Sequence, residues 1–563
     1  MEPLQRNKGL NYNTPTSQRR TFSKSYQLTM LMANSISLVW CVTYLSTDMS
    51  PQSGNLLGIL LILTLVGNHT LTLMTGNSHF LDYAYLVLSM LTMIIVPILN
   101  TYASLDVNNL TSQSIVSISL IPLLLFLGMI ISLTKINYQR RHSDHMVTLF
   151  NTKQPNHIKY ILKRSLLFLL GLNLVIGVYL SYSLLDKNVS AGIFSIFIPQ
   201  YSFFIGMYFL GLVVLILNLR NQKPLSNFFI GFVGFSVFLI FNLPMLIVPF
   251  HLQNAEEDYT AVFGPTNDSI PNQFMDVPFS IPEYIFGTPS DNFILNENIT
   301  FYRGTEGVDL GLQLAFDAYL PPTNQQNLPG NNSVLIRIHG GGWTVGDKGA
   351  ANFSQVNKYF ASQGYVVFDV QYGLANKEKF IESAPVPASR IGEFSIDDMV
   401  RHIGIFTNYL VENNDEYNAN LDSVFISGGS AGGQLANSVG LAIASERYTE
   451  LFHSALTVRG LIPLYPANGL ATNIGINGSK ELVNPILLVN ENSPPALVYQ
   501  GTHDKIVDPI VASTFKTTYR KESNNQAALI MMPFGTHASD IYFPSYYNRV
   551  FIYYMERFMY QFK

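Results

Sequence analysis

Long apolar runs fill the first 250 residues of the chain, and short β-rich runs alternating with helical ones fill the rest. The long runs lie at roughly 26–46, 54–75, 82–103, 112–134, 161–184, 193–217 and 227–250. Each is near or above the ~20 residues that a helix needs to cross ~30 Å of hydrocarbon. Segments such as "ISLIPLLLFLGMIISL" and "FFIGFVGFSVFLIFNLPMLIVPF" are too apolar to be solvated. The pattern predicts a bundle of about seven spanning helices over 26–250, after a 25-residue tail. From 251 to 290 Pro, Asn, Asp and aromatics alternate without a period, which predicts an irregular juxtamembrane linker.

Beyond that linker, over 291–563, six β-rich runs recur: "VLIRIH" (334–339), "YVVFDVQY" (365–372), "SVFIS" (423–427), "LIPLY" (461–465), "ALVYQ" (496–500) and "ALIMMP" (528–533). Helical patterns near 351–363, 395–414, 431–446, 508–522 and 541–562 separate or follow them. Such alternation predicts a mostly parallel sheet with helices on both faces. "FILNENITFYRG" and "LQLAFDAYL" precede it as antiparallel strands.

Charge divides the chain at the same place. Up to Phe250 there are 15 Lys and Arg against 6 Asp and Glu, net +9; after it there are 18 against 31, net −13. The basic residues of the first part cluster in the tail (Arg6, Lys8, Arg19, Arg20, Lys24), between the fourth and fifth runs (Lys135 to Arg164), and at Arg220 and Lys223. With seven spans all of these fall on one side, which the positive-inside bias makes cytoplasmic. The chain after Phe250 is then extracellular or lumenal. Sequons at Asn267, Asn298, Asn331, Asn352 and Asn477 are glycosylation candidates on that side, although an Asn-rich sequence also makes sequons by chance. The single cysteine, Cys41, excludes an intrachain disulfide. Isolated polar residues inside the apolar runs (Asn68, His69, Asn173, Asn242) either line a path or bond helices to one another. With no cluster of charged residues there, an anchor is expected, and a transporter is the alternative.

Two glycine-rich motifs carry the chemistry. Gly428-Gly429-Ser430-Ala431-Gly432 joins the run "DSVFIS" to a small-residue helix, the strand–turn–helix setting of a G-x-S-x-G nucleophile turn. Small residues at Gly428 and Gly432 suit such a tight turn, and the helix dipole favours negative charge at Ser430. His339-Gly340-Gly341-Gly342-Trp343 follows "VLIRIH" and can aim backbone N–H groups at a carbonyl oxygen. A serine needs a base and an orienting carboxylate, in the chain order Ser, acid, His. His453, His503 and His537 follow Ser430; His537 in "PFGTHASD", before the last helix, is the expected base. Asp504 in "YQGTHDKIV" is the expected acid, with Asp508 in reserve.

The set HGGGW, GGSAGG, GTHD-x-x-V and a late GTH resembles the hormone-sensitive-lipase and carboxylesterase branch of the α/β-hydrolases over roughly 290–563. The resemblance implies oxyanion donors at the backbone N–H groups of Gly341, Gly342 and Ala431, and a bracing role for His339. It also matches Asp397 and Asp398, opening the helix before the nucleophile strand. Two positions depart from the family: Gly429 replaces the usual Asp of GDSAGG, and "QYGLAN" (371–376) replaces DYRLAP. The implied activity is hydrolysis of carboxylic esters through an acyl-enzyme, with no metal or other cofactor. Expected partners are the bilayer and an ester, lipid or amphipathic by proximity, and no nucleic acid. Acyl transfer to an alcohol and a catalytically silent receptor-like ectodomain remain the alternatives.

Overall fold

A computed structural model describes residues 15–563 except 48, 75–78, 110–112, 142–156, 190, 191, 193, 221–223, 266–269, 289–291, 324, 326, 383, 385 and 525. The contact pattern separates two compact units. One comprises residues up to Met93 with Ile118–Gly177 and Met207–Phe238; the other comprises Ile94–Ser117, Val178–Gly206 and Leu239–Lys563.

The apolar runs form α1 (Pro15–Ser46), α2 (Pro51–Thr72), α3 (His79–Leu105), α4 (Ile115–Arg141) and α5 (His157–Leu185). After the short α6 (Phe194–Phe197) come α7 (Ser202–Leu219), α8 (Pro224–Leu246) and α9 (Val248–Phe263). Among the described residues seven helical stretches are long and apolar enough to cross a membrane, the last running through α8 and α9. Within the first unit the polar residues of the apolar helices bond helix to helix. Asn34 and Asn68 exchange side-chain amide hydrogen bonds, each 2.8 Å, between α1 and α2. His69 meets Ser89 Oγ of α3 at 3.2 Å, and Asn173 of α5 donates to Tyr208 of α7 at 2.7 Å. Such pairs satisfy groups that hydrocarbon would leave stranded.

Two expectations fail in detail. The sixth apolar run is not one helix from 193: Pro199 separates α6 from α7, because proline lacks an N–H and disfavours helix before it. The expected linker from 251 is not wholly irregular either, since α9 runs on to Phe263 and ends at Gly264, which has φ 80°. Its buried residues Val248, His251, Ala255 and Tyr259 recur every three or four positions, an amphipathic helix set among charged neighbours. A further turn, α10 (Ile281–Phe286), precedes the sheet.

The sheet is built from β1 (Ile294–Arg303), β2 (Gln313–Leu320), β3 (Ser333–Ile338) and β4 (Val366–Val370). The minor pair β5 (Leu374–Ala375) and β6 (Ile391–Gly392) stands apart, and β7 (Asn420–Gly429), β8 (Val458–Leu464), β9 (Ala496–Gly501) and β10 (Ala527–Met532) complete the main sheet. The spatial order is β1-β2-β4-β3-β7-β8-β9-β10, with β1–β2 and β2–β4 antiparallel and the other pairings parallel.

Crossover helices α11 (Ser354–Ser362), α12 (Ile396–Glu412) and α14 (Ala431–Ala444), with the turns α13 (Asn414–Tyr417) and α15 (Lys480–Val483), alternate with the strands. Helices α16 (Ile510–Glu522) and α17 (Tyr546–Phe562) close the chain. Phe316, Ile336, Phe368 and Ile426 form one core with α12, α14 and α16. This is a mixed-sheet α/β-hydrolase-like domain, and its parallel strands bring their C-terminal ends to one rim, where sites in such sheets assemble.

Candidate active site

Ser430 occupies the turn between β7 and α14 with φ 57° and ψ −120°, a backbone setting that costs energy in any residue but glycine. The turn is held by Ser430 N–H donating to Leu464 O at 2.9 Å, and by Ala467 N–H donating to Ser430 O at 3.1 Å. Residue 432 must be glycine: a Cβ there would lie 2.1 Å from Ile338 O at the end of β3. The crowding pushes the serine side chain outward at the start of α14.

The side chains singled out in the sequence meet here. His537 Nε2 lies 2.9 Å from Ser430 Oγ, and His537 Nδ1 lies 2.8 Å from Asp504 Oδ2. Asp504, just after β9, is fixed through Oδ1 by the N–H groups of Ile506 and Val507, each at 2.9 Å. Gln500 Nε2 donates to Asp504 Oδ2 at 3.1 Å. Exposure is 9% for Ser430 and 5% for each of the other two, so the three groups interact away from bulk water.

The remaining candidates stand elsewhere. His503 turns to Thr502, Asp508 accepts from Ile510 N–H at the start of α16, and His453 accepts from Ala455 N–H. Asp397 binds Ser479, and Asp398 completes the capping box of α12 with Ser395.

The His537 loop is clamped by the segment joining α5 to α7. Thr536 Oγ1 donates to Ser195 O at 3.1 Å, Gln200 Nε2 donates to Ala538 O at 3.3 Å, and Tyr542 N–H donates to Gln200 Oε1 at 2.7 Å. Sequence reading gave no hint of this clamp, because its two halves lie more than 330 residues apart.

The second glycine loop runs against the nucleophile turn. Gly341 has φ 122°, and a Cβ on it would lie 2.0 Å from Val345 O. Trp343 Nε1 donates to Gln434 Oε1 at 2.9 Å, which pins the loop to α14. His339 stacks on Tyr372 at 4.4 Å, and its Nδ1 lies 2.9 Å from Gly340 O. Burial lowers the His339 pKa, which favours a neutral ring. Gly340 and Gly341 border the cavity, a Cβ on Gly342 would meet Phe380, and Ala431 opens α14, where N–H groups lack an intrahelical acceptor.

A cavity of about 300 Å³ adjoins Ser430 and His537. Its walls include Ile196, Phe197, Phe380, Ile381, Leu464 and Ile541, and also Arg337, Tyr465 and Asp540. The departure at Gly429 has a steric counterpart: a Cβ there would meet Tyr465 Oη at 2.9 Å, and that hydroxyl donates to Asp540 at 2.8 Å. Gln371, in place of the family's Asp, accepts from Ala315 N–H and donates to Asp347. Burial pushes the Asp540 carboxyl up to about 6. Arg337, Tyr465 and Asp540 escaped the sequence reading. The available signal was an arginine inside "VLIRIH", a run that reads as a buried strand.

Of the sequons, Asn298, Asn331 and Asn477 are exposed and Asn267 lies outside the described residues. Asn352 is a correction: it is 3% exposed and its Nδ2 donates to Asp369 Oδ1 at 2.9 Å, so no glycan fits.

Comparison with known proteins places residues 316–465 on the BD-FAE family model. Over 238 residues the chain is 23% identical to LipM, a probable carboxylic ester hydrolase of Mycobacterium tuberculosis (strain ATCC 25618 / H37Rv). That match covers 38% of this chain and 51% of the relative, so the chain spans about half the length of that protein. Similar solved structures include the apo form of Thermogutta terrifontis esterase 2, at 20% identity and TM-score 0.35, covering 43% of this chain and 85% of that one. Its butyrate-bound form matches at 19% identity and TM-score 0.34, covering 43% and 85%. The BD-FAE match runs from β2 to the end of β8; it includes both glycine turns and Ser430, and Asp504 and His537 follow it.

Proposed function

We propose that the chain is a serine carboxylic-ester hydrolase carried on a membrane anchor. The observation that carries this reading is the unbroken hydrogen-bonded line Ser430–His537–Asp504 at 2.9 and 2.8 Å. In the proposed reaction Ser430 Oγ attacks the ester carbonyl and passes its proton to His537 Nε2. Asp504 accepts from Nδ1–H, which holds the ring in the right tautomer and offsets the imidazolium charge. The N–H groups of Gly341, Gly342 and Ala431 receive the developing oxyanion. His537 then protonates the departing alcohol, and water, deprotonated by the same ring, releases the acid from the acyl-enzyme. The LipM match is consistent with this chemistry.

In this proposal the seven apolar helices cross the bilayer with the N-terminus cytoplasmic. The hydrolase domain is then extracellular or lumenal, with Asn298, Asn331 and Asn477 as glycan acceptors. Ile196 and Phe197, from the connection between the fifth and sixth apolar helices, form part of the cavity wall. Their position favours amphipathic esters that partition into the membrane. The test is turnover of p-nitrophenyl butyrate by the full chain in neutral detergent. Ser430→Ala should lose at least about 10³-fold in kcat; equal turnover by the variant rejects the assignment.

A further inference from the structure

A charged side chain in the interior of a central strand costs energy unless something answers it. Arg337 is the penultimate residue of β3 and is 2% exposed. It stands in register with Asp369 of β4 and Ser427 of β7, and Asp369 is in register with Asp317 of β2. A polar row thus crosses four strands. Its guanidinium donates to two neutral acceptors, Ser427 Oγ at 3.0 Å and Asn352 O at 2.9 Å. Among the described residues Nε has no hydrogen-bond partner, although it is buried.

The neighbouring acids are engaged elsewhere. Asp369 accepts from Gly349 N–H, Asn352 Nδ2 and Asn357 Nδ2, and Asp540 accepts from Tyr465. Burial pushes the Asp369 carboxyl up to about 7, so near neutral pH it offsets the arginine incompletely, whereas Asp540, pushed up to about 6, keeps most of its charge there. Arg337 borders the same cavity as Ser430 and His537.

We propose that Arg337 is the anion-recognition residue of this cavity, so that the enzyme takes esters carrying a carboxylate or phosphate that reaches the guanidinium. The proposal rests on the ester-hydrolase reading and narrows its substrate class. A guanidinium suits both groups, because its planar fork donates paired hydrogen bonds to either. The two sources differ in which half of the ester carries the charge.

Two substrate pairs separate them, with the full chain in neutral detergent and acid release followed by pH-stat. Monoethyl glutarate against ethyl pentanoate places a carboxylate on the acyl side. Butyryl glycerol phosphate against monobutyrin places a phosphate on the alcohol side. A preference in kcat/KM of about 30-fold for the charged member of one pair is expected, the size of one charge-assisted hydrogen bond. The favoured pair identifies the side, Arg337→Met should bring that ratio close to one, and Arg337→Lys should keep part of it.

Arg337→Met is a core substitution, so the parent protein supplies a second readout. Free glutarate or inorganic phosphate should slow fluorophosphonate labelling of Ser430, and neutral pentanamide should not. Equal rates within both pairs, or labelling unaffected by either anion, overturns the anion site and leaves the hydrolase reading standing. Absence of any labelling at Ser430 overturns the hydrolase reading itself.

Discussion

Ser430 borders the cavity from a backbone at φ 57°, and the surrounding contacts make that setting hard to leave. Within the proposed mechanism Asp504 does its work through the tautomer of His537. Asp504→Asn offers a donor where Nδ1–H needs an acceptor, so kcat should fall by roughly 10³–10⁴ with little change in KM, measured with p-nitrophenyl butyrate. Asp369 gives a second expectation, on stability. Its folded pKa lies above the ordinary carboxylate value because burial disfavours its charge. The folded state therefore holds a proton that the unfolded chain releases between about pH 4 and 7, so its contribution to stability declines as pH rises through that window. Any Tm deficit of Asp369→Asn relative to the parent should accordingly shrink between about pH 5 and pH 8; a growing deficit would reject this account. Ser430, Asp504 and His537 were legible in the sequence because glycines and strand ends flag such turns. Arg337, Tyr465 and Asp540 were not, since each is one polar residue in an apolar setting and only the sheet register brings them together. The sequon at Asn352 misled because a three-residue pattern carries no information about burial.

At the scale of elements, strand and helix positions followed the sequence closely. The run at 496–500 became Ala496–Gly501, and the helical stretch at 431–446 became Ala431–Ala444. Those stretches are mainly apolar or small-residue runs, buried at nearly every position. Helix α9 was missed because Gln253, Glu256, Glu257 and Asp258 interrupt the eye, while its buried face shows only in Val248, His251, Ala255 and Tyr259. The short α6 and the following turn hydrogen-bond to the His537 loop. Gln200 holds the His537 loop at both Ala538 and Tyr542, so Gln200→Ala should misplace the imidazole. A fall of about tenfold in kcat is expected, with fluorophosphonate labelling slowed in parallel, because small displacements of a catalytic group are expensive. Unchanged labelling would show that the clamp is dispensable.

The molecule as a whole does not divide where its composition does. Residues Ile94–Ser117 and Val178–Gly206, from helices read as membrane-spanning, belong to the compact unit that holds the sheet. Ser117 Oγ donates to Phe286 O at 2.8 Å, Tyr284 Oη donates to Gln200 O at 2.9 Å, and Phe204 stacks on Tyr284 at 5.2 Å. A fragment spanning 253–563 should therefore expose these apolar surfaces. We expect it to aggregate, or to hydrolyse p-nitrophenyl butyrate at least about tenfold more slowly than the full chain. Composition revealed two kinds of protein in one chain, but contacts between distant segments leave no local pattern. The most direct measurement of the central claim is reaction of the full chain with a fluorophosphonate, followed by peptide mapping of the adduct. One equivalent bound at Ser430, and none in Ser430→Ala, is the expected result. A folded chain that takes up no probe, or takes it up at another residue, would contradict the account.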